Sequence, residues 1–122
     1  MSLDAIGAGV AVLTLIGEFH HRETRDLERT IAGALDGSHQ HLVVDMRGVT
    51  MFGAPSLRAL VKAALRAREN RIGFVIVRPE PRVWQTFELT GLDAQFANTG
   101  SLESAVSALT RTTAKDATRC PS

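Results

Sequence analysis

The sequence contains a single cysteine, Cys120, close to its last residue. One thiol has no partner within the chain, so a disulfide framework and a thiolate metal cluster are both excluded. Disulfide-free chains are typical of reducing compartments. We therefore expect a cytoplasmic protein.

The sequence also has little net charge of either sign. It contains 14 Lys and Arg residues against 13 Asp and Glu residues, which gives a formal net charge of +1 at pH 7. Nucleic acids and anionic membranes usually require a clustered excess of basic side chains. We expect neither as a partner; a protein or a small molecule fits better.

Long hydrophobic runs are lacking too. The apolar run nearest the N-terminus covers residues 10–16, and Asp4 stands where a signal peptide would carry positive charge. No run approaches the ~20 residues that span a bilayer. We expect neither a signal peptide nor a membrane anchor.

Motifs for nucleotide and hydrolase chemistry do not occur. The chain has no GxxxxGK[ST] loop and no GxSxG elbow, and the turn from Gly7 to Gly9 precedes a strand, whereas a dinucleotide fingerprint follows one. We therefore expect no enzyme activity and no cofactor.

The four histidines do not predict a metal site. His20 and His21 follow one predicted strand, and His39 and His41 precede another. In a sheet with crossover connections these pairs lie at opposite ends, so the four rings cannot share one ion.

What the sequence does contain indicates one globular domain. It has 122 residues, of which 44% are hydrophobic and 22% are charged. We assign residues 1–111 to this domain. Residues 112–122 show no apolar periodicity, and we expect a disordered tail there.

Within the domain, β-rich runs alternate with amphipathic helical stretches. The predicted strands cover residues 3–6, 10–16, 41–45, 72–77 and 95–98, and the predicted helices cover 24–35, 55–68, 81–89 and 101–110. This alternation predicts an α/β fold. Its sheet has four to five mostly parallel strands, an N-terminal antiparallel hairpin strand, and helices packed on it.

Three segments resemble one family. They are LIGEF at residues 15–19, LVVDMRGVTMFGAPSLRAL at 42–60 and RVWQTFELTGL at 82–92. Their order and content resemble the STAS domain of bacterial anti-sigma factor antagonists, over residues 10–109. The resemblance implies a regulator of transcription that binds an anti-sigma factor, often a serine kinase. Phosphorylation of the second serine of Asp-Ser-Ser-Gly, at a helix N-terminus, ends this binding in the family.

The phosphorylation motif is broken in this chain. Its four positions fall on Gly53, Ala54, Pro55 and Ser56, and a further acidic position of the family falls on His20. Proline has no hydroxyl, so the usual acceptor is lost. We expect the fold to be kept and the switch to be lost. The alternative is that Ser56 has become the acceptor, since a phosphate is stabilised at a helix N-terminus.

The expected partner surface combines an apolar loop with the helix that follows it. The loop comprises Met51, Phe52, Gly53, Ala54 and Pro55, and an exposed apolar loop favours protein contact. For Met51 and Phe52, burial under the helix is the alternative. Ser56 and His20 are also expected to belong to this surface.

Three further side chains are candidates at its margin. Val83 and Phe87 share one predicted helix face, so Trp84 is expected to point away from the core, where tryptophan is typical of interfaces. The alternative is a ring lying flat on a neighbouring helix. Arg47 and Arg58 flank the loop and are suited to pairing with acidic groups.

The sequence thus predicts a non-enzymatic STAS-domain protein that binds an anti-sigma factor or a serine-kinase-like regulator as a monomer or weak dimer. Three alternatives stay open. They are an antagonist regulated through Ser56, a scaffold subunit of a larger assembly, and a STAS module that binds a nucleotide or another small molecule.

Overall fold

The computed structural model of the chain describes residues 1–6, 9–36 and 40–109. Within these residues five strands form one sheet in the order β1-β2-β3-β4-β5. The strands are β1 (Ser2–Ala5), β2 (Val10–Phe19), β3 (His41–Phe52), β4 (Gly73–Val77) and β5 (Ala97–Thr99). The helices are α1 (His21–Asp36), α2 (Ala54–Glu69), α3 (Pro81–Leu89), a 3-10 turn (Leu92–Gln95) and α4 (102–109).

The pairing of the strands confirms the predicted α/β fold. β1 pairs with β2 in an antiparallel hairpin, and every later neighbour is parallel. Parallel neighbours need crossover connections, which α1, α2 and α3 supply. Of the predicted turn, Gly7 and Ala8 lie outside the described residues.

The two faces of the sheet pack against different helices. Alternate residues of β2, such as Leu13 and Leu15, join buried residues of α1, α2 and α3 in the larger core cluster. The residues between them, such as Val12, pack with Val43 and with Leu109 of α4 on the other face. The fold is therefore a three-layer arrangement in which most of the core lies on the α1–α3 side.

The third strand is longer than predicted. The continuous apolar run ends at Asp45, but the structure continues β3 to Phe52. β4 accompanies β3 only as far as Asp45, whereas β2 stays paired with β3 through two register shifts until Phe19 meets Phe52. The expected loop at Met51 and Phe52 is thus wrong: both belong to a two-stranded extension of the sheet.

Helix α2 buries alanines and leaves one of its leucines at the surface. Leu65 is half exposed, and the buried positions include Ala59, Ala63 and Ala67 instead. Small side chains let α2 approach its neighbours closely, so a hydrophobicity pattern weighted toward leucine misplaces the buried face by part of a turn.

Two smaller expectations concern the end of the domain. The last strand, Ala97–Thr99, begins two residues later than predicted because Leu92–Gln95 forms a 3-10 turn before it. Ser101 caps the N-terminus of α4, since the Ser104 backbone N–H donates to the Ser101 hydroxyl at 3.1 Å. The expected disordered tail at 112–122 lies outside the described residues. None of the described helices has the length and apolar character that crossing a bilayer requires.

Candidate functional site

The candidate site lies at the tip of the β2–β3 extension, where α1 and α2 begin. Phe19 and Phe52 are the last paired residues of the two strands. The Gly53 backbone N–H donates to the Phe19 carbonyl at 2.8 Å, which fixes the start of α2 beside the end of β2. Residues that are far apart in sequence therefore converge here.

Gly53 and Pro55 determine how α2 begins. Gly53 is the N-cap in extended backbone, its carbonyl accepts the Leu57 N–H at 2.9 Å, and Pro55 lies in the first turn. Proline suits that turn because its missing N–H would have no intrahelical partner. A Cβ at position 53 would lie 3.2 Å from the Phe19 carbonyl oxygen, so a glycine fits this tight junction.

Ser56 faces the protein interior. Its relative exposure is 0%, and its hydroxyl lies 3.0 Å from the hydroxyl of Thr24 on α1. Thr24 also donates to the His20 carbonyl at 3.3 Å. The two hydroxyls thus join the first turns of α1 and α2 at a part-buried position.

His20 holds the turn between β2 and α1. Its backbone N–H donates to Glu23 Oε1 at 2.8 Å, and its ring Nε2 lies 2.6 Å from Glu18 Oε1. The His20 side chain remains half exposed. His20 therefore borders the same junction as Gly53 and, through Thr24, Ser56.

A chain of aromatic contacts connects this junction to α3. Phe52 is buried, with its ring centroid 5.6 Å from that of Phe19 and 6.2 Å from that of Phe87. Trp84 stacks on Phe87 at 4.7 Å and is partly buried. The expectation that Trp84 points away from the core is wrong: its ring lies on a neighbouring aromatic of its own helix.

The side chains left at the surface form a smaller set than predicted. Met51 is 46% exposed, and Ala54 and Arg58 are exposed on the first turns of α2. Pro55 is partly exposed beside them. Of the predicted apolar loop, Met51, Ala54 and Pro55 are therefore accessible to a partner, whereas Phe52 is not.

Arg47 forms an ion pair with Asp45. Its guanidinium donates to both oxygens of the Asp45 carboxylate, at 3.0 and 2.9 Å. The hydrogen bond from Arg47 holds the pKa of Asp45 below its usual value, against the opposing effect of burial. Arg47 is therefore engaged with Asp45 and is less available to a partner than Arg58.

His41 and His20, one from each predicted pair, lie at opposite ends of the sheet. His41 pairs with Val10 at the start of the parallel sheet, and His20 follows Phe19 at the other end. Burial lowers the pKa of His41. No group of three metal-binding side chains occurs in the described ranges, and His39 is outside them.

Sequence reasoning missed Thr24 as a site residue. Helical spacing places it on the same face of α1 as Leu27, Ile31 and Leu35, which are buried. A hydroxyl on an apolar helix face needs a hydrogen-bond partner, so this spacing could have predicted a polar contact at Thr24.

The comparison that identifies the family covers nearly the whole fold. The family model described as "Mlab, STAS domain" matches residues 4–109. The chain is a member of the STAS domain family. The strand order, the helix after β3 and the junction at Gly53 to Ser56 are thus features of this STAS domain. No curated protein matches the chain.

Solved structures agree with this assignment. An anti-sigma factor antagonist from Mycobacterium paratuberculosis has 28% identity and a TM-score of 0.76, with 88% of this chain and 90% of that chain covered. The unphosphorylated form of the Bacillus anti-sigma factor antagonist SpoIIAA has 15% identity and a TM-score of 0.77, with 90% and 96% covered. The STAS domain of a SulP transporter from Vibrio cholerae has 20% identity and a TM-score of 0.67, with 90% and 88% covered. The chain thus resembles anti-sigma factor antagonists, and the same fold also occurs in transporters.

Proposed function

We propose that this STAS domain is a non-enzymatic, cytoplasmic regulator of transcription that binds an anti-sigma factor or a serine-kinase-like regulator. Binding uses the exposed part of the junction: Met51, Ala54, Pro55 and Arg58. The family assignment and the similarity to an anti-sigma factor antagonist at 28% identity support this class of partner.

The observation that carries the proposal is the start of α2. Between Gly53 and Ser56 the chain has one hydroxyl, that of Ser56, and it is buried against Thr24. Pro55 occupies the position that the family resemblance assigns to the phosphorylated serine, and it has no hydroxyl. A kinase has no accessible acceptor there, so binding is constitutive in this proposal.

The alternative acceptor, Ser56, is less suited to the role than its place in the sequence suggests. A kinase must reach the hydroxyl from solvent, and a phosphate carries about −1.5 to −2 charge at neutral pH. At a fully buried position that charge has to be accommodated in apolar surroundings. Regulation at Ser56 therefore requires the first turns of α1 and α2 to separate.

A pull-down from extract of the native cell tests the proposal. The baits are the wild-type chain and Pro55→Ser, each incubated with and without ATP, and the captured proteins are identified by mass spectrometry. We expect an anti-sigma factor on the wild-type bait under both conditions. If only the ATP-free sample retains it, or if intact mass shows a phosphate lost in Ser56→Ala, constitutive binding is wrong.

The scaffold alternative rests on the occurrence of this fold in larger proteins such as transporters. A scaffold subunit should self-associate without any partner, whereas the antagonist should be a monomer or weak dimer. Gel filtration with light scattering separates the two. A thermal-shift screen with nucleotides tests the small-molecule alternative, since a bound ligand raises the melting temperature.

A further inference from the structure

The first strand of the sheet has an open outer edge. β1 pairs with β2 on one side and stands at the end of the strand order on the other. All four of its residues are exposed, on both faces of the sheet. In the described part of the chain, the hydrogen bonds of β1 are those of its hairpin with β2. The outer row of backbone groups is therefore available to another strand.

The register of the hairpin shows which backbone groups form this outer row. The Ile6 N–H donates to the Val10 carbonyl at 2.9 Å, which makes these two residues a hydrogen-bonded pair. Hydrogen-bonded and non-hydrogen-bonded pairs alternate along an antiparallel ladder. Leu3, opposite Leu13, therefore occupies a non-hydrogen-bonded position, and so does Ala5. The N–H and C=O groups of Leu3 and Ala5 thus point away from β2.

The side chains of β1 divide between the two faces of the sheet. Leu3 lies opposite Leu13, which belongs to the core on the α1–α3 side, yet Leu3 remains 38% exposed. Ala5 shares that face with Leu3, and Ser2 and Asp4 point to the α4 side. The edge therefore presents apolar side chains on one face, and a hydroxyl and a carboxylate on the other.

We infer that this edge pairs with the same edge of a second copy of the chain, antiparallel about a two-fold axis at Leu3. In this register the two Leu3 residues exchange both backbone hydrogen bonds, because their N–H and C=O groups point outward. Their side chains lie next to each other on one face, and Ala5 of each copy lies opposite Met1 of the other. The two five-stranded sheets then form one continuous sheet.

The charge on β1 selects this register and favours a second copy as the occupant. With the axis at Leu3, Ser2 of one copy faces Asp4 of the other in a non-hydrogen-bonded pair, whose Cα atoms are about 4.5 Å apart. The Ser2 hydroxyl is then placed to donate to the Asp4 carboxylate. With the axis at Asp4, two carboxylates would face each other at the same spacing, which is destabilising. The edge is thus complementary to itself in one register.

The short seam determines how strong the dimer is. Four residues from each copy bury far less than the ~1,200 Å² of a stable interface, so the dimer forms only at high protein concentration. Because the paired strands are antiparallel, the candidate sites at the ends of the two β2 strands point in opposite directions and stay accessible. The inference does not depend on which partner those sites bind.

Disulfide cross-linking tests the register. In a Cys120→Ser background, Leu3→Cys places two thiols at the axis, where the Cα atoms are about 5.5 Å apart and within disulfide range. The matched control is Ala5→Cys on the same face of the same strand. Its two copies are four residues apart along the seam, about 14 Å, which is too far for a disulfide. We expect a covalent dimer from Leu3→Cys alone, seen on a non-reducing gel.

Sedimentation velocity measures the association without a covalent bond. The full chain is studied up to about 1 mM, a concentration that reveals weak dimers. Leu3→Lys places two like charges opposite each other at the axis, so we expect at least about tenfold weaker dimerisation. The matched control is Leu89→Lys, the same change at a leucine that is 79% exposed at the end of α3. It should change dimerisation by less than about twofold.

The outcomes distinguish this seam from general association. A wild-type chain that stays monomeric, equal losses in the two lysine variants, or a dimer that cross-links as well through Ala5→Cys overturns the inference. So does a sedimenting dimer that fails to cross-link through Leu3→Cys. If the wild-type chain is monomeric and Leu3→Lys weakens capture of a partner from extract, the edge binds a strand of that partner instead. If the dimer forms as expected and no anti-sigma factor is captured, the proposed function fails alone.

Discussion

The helices α1 and α2 are joined in different ways at their two ends. At the N-terminal end a hydroxyl pair, Thr24 and Ser56, lies 3.0 Å apart with Ser56 fully buried. At the C-terminal end Arg66 and Asp36 form an ion pair at 2.9 Å, with side chains 49% and 61% exposed. Breaking a buried hydrogen bond leaves a polar group without its partner, whereas breaking a surface ion pair lets both groups return to water.

This difference shows where the molecule is held firmly. The end next to the candidate site is held by a part-buried hydrogen bond in which Ser56 is out of reach of solvent, and the far end is held by an ion pair that solvent weakens. A preformed binding surface loses less conformational entropy on association. The buried end therefore suits a site that binds without a preceding modification, and four predictions test the contrast.

The largest effect is expected for Ser56→Glu. This change places a carboxylate at a fully buried position, and an uncompensated buried charge costs about 3–5 kcal/mol. Urea denaturation should show a loss of this size in the free energy of unfolding. Ala54→Glu is the matched control, because its exposed side chain lies in the same first turn, where the helix dipole favours negative charge. Equal stability of the two variants would contradict the burial of Ser56.

The next effect is expected for Thr24→Val, which removes one hydroxyl and nearly preserves side-chain shape. The Ser56 hydroxyl then loses its partner, at a cost of about 1–3 kcal/mol. In the double variant Thr24→Val with Ser56→Ala, neither hydroxyl remains. Its loss of stability should be smaller than the sum of the two single losses, and a double-mutant cycle measures the difference. Strict additivity would show that the hydroxyls do not interact.

An intermediate case is the pair of Asp45 and Arg47, in which the carboxylate is buried and the guanidinium half exposed. Arg47 keeps the pKa of Asp45 below its ordinary value of 3.8. The ionised carboxylate therefore adds stability above that value, and this contribution is lost as the pH falls through the lower pKa of the folded protein. Asp45→Asn should cost about 1 kcal/mol at neutral pH and flatten the acid limb of the stability curve. An unchanged acid limb would refute the role of this pair.

The smallest effect is expected at the exposed end. Arg66→Gln should change the free energy of unfolding by less than about 0.5 kcal/mol, and high salt should reduce even this difference. Denaturation curves at low and high ionic strength measure both. A loss as large as that of Thr24→Val would remove the contrast between the two ends.

The sequence predicted those parts of the fold that hydrophobic spacing determines. The order of strands and helices, the antiparallel hairpin and the bounds of α3 at Pro81 and Leu89 follow from periodicity and from proline at a helix start. The resemblance of the family segments predicted a helix start near residues 53–56, and α2 begins at Ala54.

The second half of β3 could not be obtained from the sequence. Arg47, Gly48 and Thr50 interrupt the apolar run and resemble a loop. The strand continues nevertheless, because β2 pairs with Gly48 and Val49 after one register shift and with Met51 and Phe52 after a second. Such irregular pairing depends on the partner strand, which local sequence does not encode. The outcome for Met51 and Phe52, one exposed and one buried, depended on the same register.

The orientation of the hydroxyls and rings around the site could not be predicted from the sequence either. Ser56 and Thr24 are 32 positions apart, and only the packing of α1 on α2 brings their oxygens together. For Trp84, helical spacing correctly predicted that Val83 and Phe87 are buried but not that the indole folds back onto Phe87. Side-chain rotamers decide such contacts, and periodicity does not specify them.

The stacking of Trp84 on Phe87 has an optical consequence. The chain has one tryptophan and no tyrosine, so its near-ultraviolet emission comes almost entirely from this indole. Phe87 in turn contacts Phe52, which directly precedes the junction at Gly53. The unlabelled protein therefore has an intrinsic fluorophore two ring contacts from its candidate binding surface. Rearrangement of that junction on binding should change its emission wavelength and lifetime.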